Sequence, residues 1–124
     1  MQTKDHSNVK RELEQLLSEL GYPFVRRELK RCDVIFSDGC SVCGAEYERT
    51  ARNVLANLDR NIANDIDFNL IVPSDFCVAR DIAHKLATDL PKEFYQRVGL
   101  VTLPALRLLA GKLAAASSDA AHQP

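Results

Sequence analysis

The chain has 124 residues, 46% of them hydrophobic and 27% charged, with a formal net charge of −1. That length is one domain able to bury a single core, and the composition excludes a disordered chain. The small net charge supplies no global field toward nucleic acid or an anionic bilayer, and no apolar run reaches the roughly 20 residues that span a membrane. The polar start from Met1 to Lys10 does not read as a secretory signal. The sequence-level expectations are therefore a cytoplasmic chain without nucleic-acid or membrane partners, folded over residues 1–116 with a flexible tail at 117–124. Nothing in the sequence sets its oligomeric state.

The first segment is helical in period. Val9, Leu13, Leu16, Leu17 and Leu20 share one face, Ser7 or Asn8 is placed to cap the start, and Gly21 to end it. Phe24 to Leu29 predicts an edge strand carrying Arg26 and Arg27. Cys32 to Phe36 predicts a buried strand, broken by Ser37-Asp38-Gly39. From Gly44 a helical spacing returns through Tyr47, Ala51, Val54, Leu55, Leu58 and Ile62. Phe68 to Val72 predicts another buried strand. Ser74 and Asp75 are N-cap candidates for a helix whose inner stripe is Phe76, Ala79, Ile82, Ala83, Leu86 and Leu90. A short helical turn is expected at Phe94, Tyr95 and Val98. Val101 to Ala110 then predicts an extended segment turning at Gly111-Lys112, with Leu113 to Ala116 as its hairpin partner. Strands alternating with helices indicate an α/β layered fold.

Four cysteines occur, at positions 32, 40, 43 and 77, too sparse for a disulfide framework. With a helix expected to start near Cys40, unpaired N–H groups and the helix dipole favour a thiolate there, and Cys43 lies one turn on, placed to resolve a mixed disulfide. Two other readings stand beside this one. Zinc needs four ligands and the pair supplies two, leaving Cys32, Cys77, His84 or His6 to complete a set. Alternatively the cysteines are small buried hydrophobes, the reading preferred for Cys32 and Cys77.

Val34-Ile35-Phe36-Ser37-Asp38-Gly39-Cys40-Ser41-Val42-Cys43 resembles the strand–turn–C-x-x-C–helix opening of the thioredoxin and glutaredoxin superfamily. About sixty residues later, Val101-Thr102-Leu103-Pro104 resembles its second hallmark, an apolar residue before a cis-proline. The resemblance covers roughly residues 33–113. It implies a thioredoxin-like three-layer sandwich, a central mixed sheet flanked by helices, here with an extra N-terminal helix. It also implies a cis Pro104 beside the cysteines and a substrate platform of Thr102, Leu103, Pro104 and Gly39. The activity implied is thiol–disulfide exchange, with Cys40 attacking and Cys43 resolving. The partner would be a thiol- or disulfide-bearing protein or a small thiol, with no metal or organic cofactor. A thioredoxin-fold interaction or assembly module with structural cysteines is the alternative, and a small zinc-binding regulator the third.

Overall fold

The computed structural model describes residues 4–121. In chain order the elements are α1 (Lys4–Glu19), β1 (Phe24–Arg27), β2 (Val34–Ser37), β3 (Val42–Glu48), α2 (Val54–Ala63), β4 (Phe68–Pro73), α3 (Phe76–Asp89), a 3-10 turn (Lys92–Arg97), β5 (Val98–Leu100) and α4 (Leu103–Ala121). The strands form one mixed sheet in the order β1-β2-β3-β4-β5. β1, β2 and β3 are an antiparallel meander, and β4 and β5 add in parallel after helical crossovers.

Strand alternation divides the side chains between two helical layers. Cys43 and Ala45 of β3, Val34 and Phe36 of β2 and Val72 of β4 join Leu13, Leu16 and Leu17 of α1 and Leu103, Leu106 and Ala110 of α4 in the main core. On the opposite face Ile71 packs with Val54 and Leu58 of α2 and Ile82 of α3. Ile35, Cys32 and Ile66 form a smaller cluster beside it. The molecule is thus an α/β fold with helices on both faces of a mixed sheet, as the strand–helix alternation implies.

α1 carries the expected apolar stripe but begins at Lys4, so Ser7 and Asn8 lie inside it rather than capping it. Gly21 ends it at φ 97°, a conformation that a β-carbon disfavours. Asp75 caps α3 by accepting from the Val78 N–H at 3.0 Å. Phe76, expected on the inner stripe, is instead 74% exposed.

Two segments differ from expectation. The stretch from Val42 to Glu48 is a strand, so no helix begins at Cys40, and helix forms only from Val54. The stretch from Leu103 onward is a helix, not a strand and hairpin, and no cis peptide bond occurs among the described residues. Leu103–Pro104 is therefore trans. The physical reason lies in Thr102, whose hydroxyl accepts from the Ala105 N–H at 3.2 Å. A capping threonine followed by proline in the first turn is a helix-start signal, because the missing proline N–H is unpaired there in any case. Thr102→Ala is expected to cost about 1 kcal/mol, read from urea denaturation. α4 continues through Ala121, so residues 117–121 are helical, and the rest of the expected tail lies outside the described residues. Among the described residues no helix is long and apolar enough to cross a membrane.

Candidate functional site

The cysteine pair occupies a hairpin rather than a helix terminus. Asp38 Oδ1 accepts from the N–H groups of Cys40 and Ser41 at 2.8 and 2.9 Å, and Gly39 turns at φ 100°. This Asx-type turn joins β2 to β3. Cys40 is exposed at its tip, while Cys43 is buried in β3. Burial pushes the Cys43 thiol up, and the nearby Asp38 and Asp67 carboxylates push the same way, so its thiolate is disfavoured. All four cysteines are free thiols. Cys43 and Leu103 belong to one apolar cluster, whereas Cys40, Gly39 and Pro104 are exposed. Cys32 is core, as preferred from sequence; Cys77 is exposed on the first turn of α3 and not packed. Alkylation of the native protein is expected to mark Cys40 and Cys77 and to spare Cys32 and Cys43 until unfolding, a pattern read by mass spectrometry.

The charged residues converge elsewhere. At the C-terminal end of β3 a cavity of about 460 Å³ is lined by residues of α1, the β1–β2 connection, β3 and α2. The strand register builds it. Val34 pairs with Ala45, which brings Asp33 level with Glu46. The Asp33 side chain extends the ladder, Oδ2 accepting from the Tyr47 N–H at 2.9 Å. Alternation from Ala45 turns Glu46 and Glu48 to the α2 face of the sheet, where both are buried.

Each carboxylate has its own partners. Glu46 Oε1 accepts from Arg60 Nη2 at 2.6 Å and from Asn61 Nδ2 at 3.3 Å. Glu48 Oε1 accepts from Asn57 Nδ2 at 2.7 Å. Asp33 Oδ1 faces Lys10 Nζ at 3.3 Å and His6 Nε2 at 3.5 Å. Asn61 is fully buried and also reaches Cys32 Sγ at 3.6 Å, tying the floor of the cavity to the small apolar cluster.

Electrostatics set Glu46 apart. Burial and the neighbouring Asp33 charge raise its pKa from an ordinary 4.5 to about 7, against the lowering influence of the Cys32 thiol, Arg60 and Asn61. Glu48 is also raised, chiefly by burial. Cys32, beside Glu46, is raised by burial and by that carboxylate. A carboxyl group that titrates near neutrality inside a cavity is equipped for proton transfer in both directions.

The surroundings are cationic. Arg31 and Arg60 line the cavity with Lys10, and Arg11 and Arg27 line an adjoining depression that shares Lys10 and Glu28. Arg49 and Arg52 lie exposed in the connection from β3 to α2. The overall charge of −1 therefore conceals a local arrangement, buried carboxylates ringed by arginines. Among the described residues no three His, Cys, Asp or Glu side chains form a set arranged to hold a metal ion.

Sequence reasoning missed Asp33, Glu46, Glu48, Asn57, Arg60 and Asn61 as site residues. A signal existed in Val42-Cys43-Gly44-Ala45-Glu46-Tyr47-Glu48: read with a period of two, it places both glutamates on one face of a strand end. Comparison of the chain with family models, with curated proteins and with solved structures finds no match in any of the three.

Proposed function

We propose that the cavity at the end of β3 is a hydrolytic site for an anionic ester, with a phosphodiester as the substrate class. The observation that carries this reading is Glu46, buried between the Asp33 carboxylate and the Arg60 guanidinium, opening onto the cavity and titrating at about 7. As carboxylate, Glu46 accepts a proton from an attacking water; protonated, it returns one to a departing oxygen. Arg60 and Lys10 oppose the negative charge that grows on the phosphoryl oxygens. The rim arginines raise the local concentration of an anionic substrate and add affinity that weakens with salt. Asp33 and Glu48 fix this array, the first through the Tyr47 N–H and Lys10, the second through Asn57. Parallel strands commonly present ligand sites at their carboxyl ends, and this cavity lies at that end of β3.

Asp33, Glu46 and Glu48 offer only oxygen donors, the type that suits Mg²⁺ or Mn²⁺. In this geometry they are committed to Lys10, Arg60 and Asn57 rather than set around one point, so no step is assigned to a metal ion. Mg²⁺ enters as a variable of the test. Model phosphodiester, phosphomonoester and carboxylic ester substrates are offered with and without Mg²⁺. Cleavage of the diester, slowed roughly hundredfold or more in Glu46→Gln, is the expected result. Absence of diester cleavage in every condition, or equal cleavage by the variant, rejects the reading.

A thioredoxin-like thiol–disulfide exchange protein is the second reading, favoured by the exposure of Cys40 at the hairpin tip. It lacks the helix terminus at Cys40 and the cis-proline on which it was founded, and Cys43 sits in an acidic, buried setting. Its test is the alkylation rate of Cys40 against pH. A thiol titrating well below the free value of about 8.5 supports it, and an ordinary one removes it.

A further inference from the structure

Residues 28–33, between β1 and β2, wall one side of the cavity through Glu28, Arg31, Cys32 and Asp33. Three residues of this segment that are not glycine, Glu28, Lys30 and Arg31, hold φ angles of 57°, 56° and 64°. In that left-handed region the β-carbon crowds the backbone, so the conformation persists only where contacts impose it. Cys32 and Asp33 are buried, and Asp33 is tied to β3, but among the described residues the contacts of residues 28–31 are few. Glu28 N–H donates to Asp33 O at 3.0 Å, Lys30 Nζ reaches Asn64 O at 3.3 Å, and Asn64 Nδ2 returns to Lys30 O at 3.4 Å. Cys32 N–H donates to Leu29 O at 3.0 Å across the turn, and Lys10 Nζ pairs with Glu28 Oε1 at 3.1 Å.

That ion pair is asymmetric. The Lys10 side chain is 4% exposed and the Glu28 side chain 62%. Lys10 is also shared with Asp33, which the β3 backbone anchors, whereas among the described residues no such anchor fixes the Glu28 carboxylate. A buried ammonium needs an anionic partner, but nothing requires that partner to be Glu28. An exposed carboxylate on a crowded backbone is the member that yields.

We propose that residues 28–31, ahead of the buried Cys32 and the anchored Asp33, form a flap latched by Lys10 and Glu28, and that a phosphate-like oxyanion opens it by taking the place of the Glu28 carboxylate on Lys10. One anion replaces another, so Lys10 is never left uncompensated, and opening relaxes the three left-handed residues. The flap governs access to the cavity whichever reaction the cavity supports.

The test uses inorganic phosphate and the full chain, without any substrate. Amide hydrogen exchange of a peptide covering 28–31 and phosphate affinity are measured for the wild type, Glu28→Gln, Lys10→Arg and Lys10→Met. Phosphate is expected to speed exchange of this peptide in the wild type and in Lys10→Arg. Glu28→Gln is expected to exchange fast without phosphate and to bind it roughly fivefold more tightly, the scale of a half-exposed ion pair. Lys10→Met is expected to lose phosphate binding. Wild-type exchange that phosphate leaves unchanged, or equal phosphate affinity in the wild type and Glu28→Gln, overturns the proposal. Should Lys10→Met fail to fold, the comparison of wild type, Lys10→Arg and Glu28→Gln decides alone. A flap that responds to phosphate in a protein without hydrolytic activity refutes the hydrolytic reading and leaves the latch intact.

Discussion

Glu46→Gln is expected to stabilise the protein at pH 8 while abolishing any chemistry that passes through the cavity. The sign follows from proton binding. Below about pH 4.5 the group is protonated in folded and unfolded chains alike and has no differential effect. Between 4.5 and about 7 the folded chain holds a proton that the unfolded chain has released, so stability falls as pH rises through this window. The shift corresponds to about 3 kcal/mol lost in full above the folded pKa. Glutamine keeps the shape and an acceptor oxygen for Arg60 but carries no charge to desolvate. Urea denaturation of both proteins at pH 4.5, 6 and 8 is expected to give nearly equal stabilities at the acid end. The gap widens to about 3 kcal/mol in favour of the variant at pH 8. Glu48, raised in the same direction, leaves a residual decline in Glu46→Gln. A site that costs stability and repays nothing to the fold is the kind of exception retained for function.

Gly44→Ala is the second large effect. A β-carbon at this position would stand 2.7 Å from Cys32 Sγ and 3.3 Å from two carbons of Ile66. Cys32 and Ile66 are 2% and 0% exposed, so neither has open space to move into. Overpacking of this kind costs about 2 kcal/mol. The damage is not confined to packing, because Cys32 touches Asn61, which in turn holds Glu46. Cys32→Ala removes the sulfur that the new methyl group meets. The double variant is therefore expected to be more stable than the sum of the single changes predicts, by about 1 kcal/mol in a four-protein denaturation cycle. Simple additivity would show that Gly44 is needed for some other reason.

Both effects concern β3, the element that sequence reasoning read as helix, and the reason is physical. Cys43, Ala45 and Tyr47 alternate with Gly44, Glu46 and Glu48 as in a half-buried strand, but that alternation is only a few residues long and is outweighed by a longer helical spacing. The Tyr47, Ala51 and Val54 spacing matches a helical stripe by coincidence, since Tyr47 faces the α1–α4 core and Val54 the α2–α3 core. α4 was obscured by a different ambiguity. Thr102-Leu103-Pro104 fits both the entry of a proline strand and a capped helix start, and the choice depends on where Leu106 and Ala110 find a core. By contrast α1, β2, β4 and α3 were legible because their apolar patterns and a stop or cap signal agree, as at Gly21 and Asp75. The cavity was hidden by the β3 error. Charges assigned to the outside of a helix are taken as solvated, whereas on a central strand they must be buried and paired. Asp33, at the start of a strand that was correctly placed, gained its meaning only when the register set it beside Glu46.

The most direct measurement is the rate of phosphodiester hydrolysis between pH 5 and 8.5 for the wild type, Glu46→Gln and the Cys40→Ala/Cys43→Ala double variant. The wild-type rate is expected to rise through a single transition near pH 7, where Glu46 becomes the base. The cysteine variant should follow the same curve, and Glu46→Gln should be flat and at least hundredfold lower. A rate that survives in Glu46→Gln, or that falls only when the cysteines are removed, would contradict the account and return the hairpin thiols to the centre of this protein's chemistry.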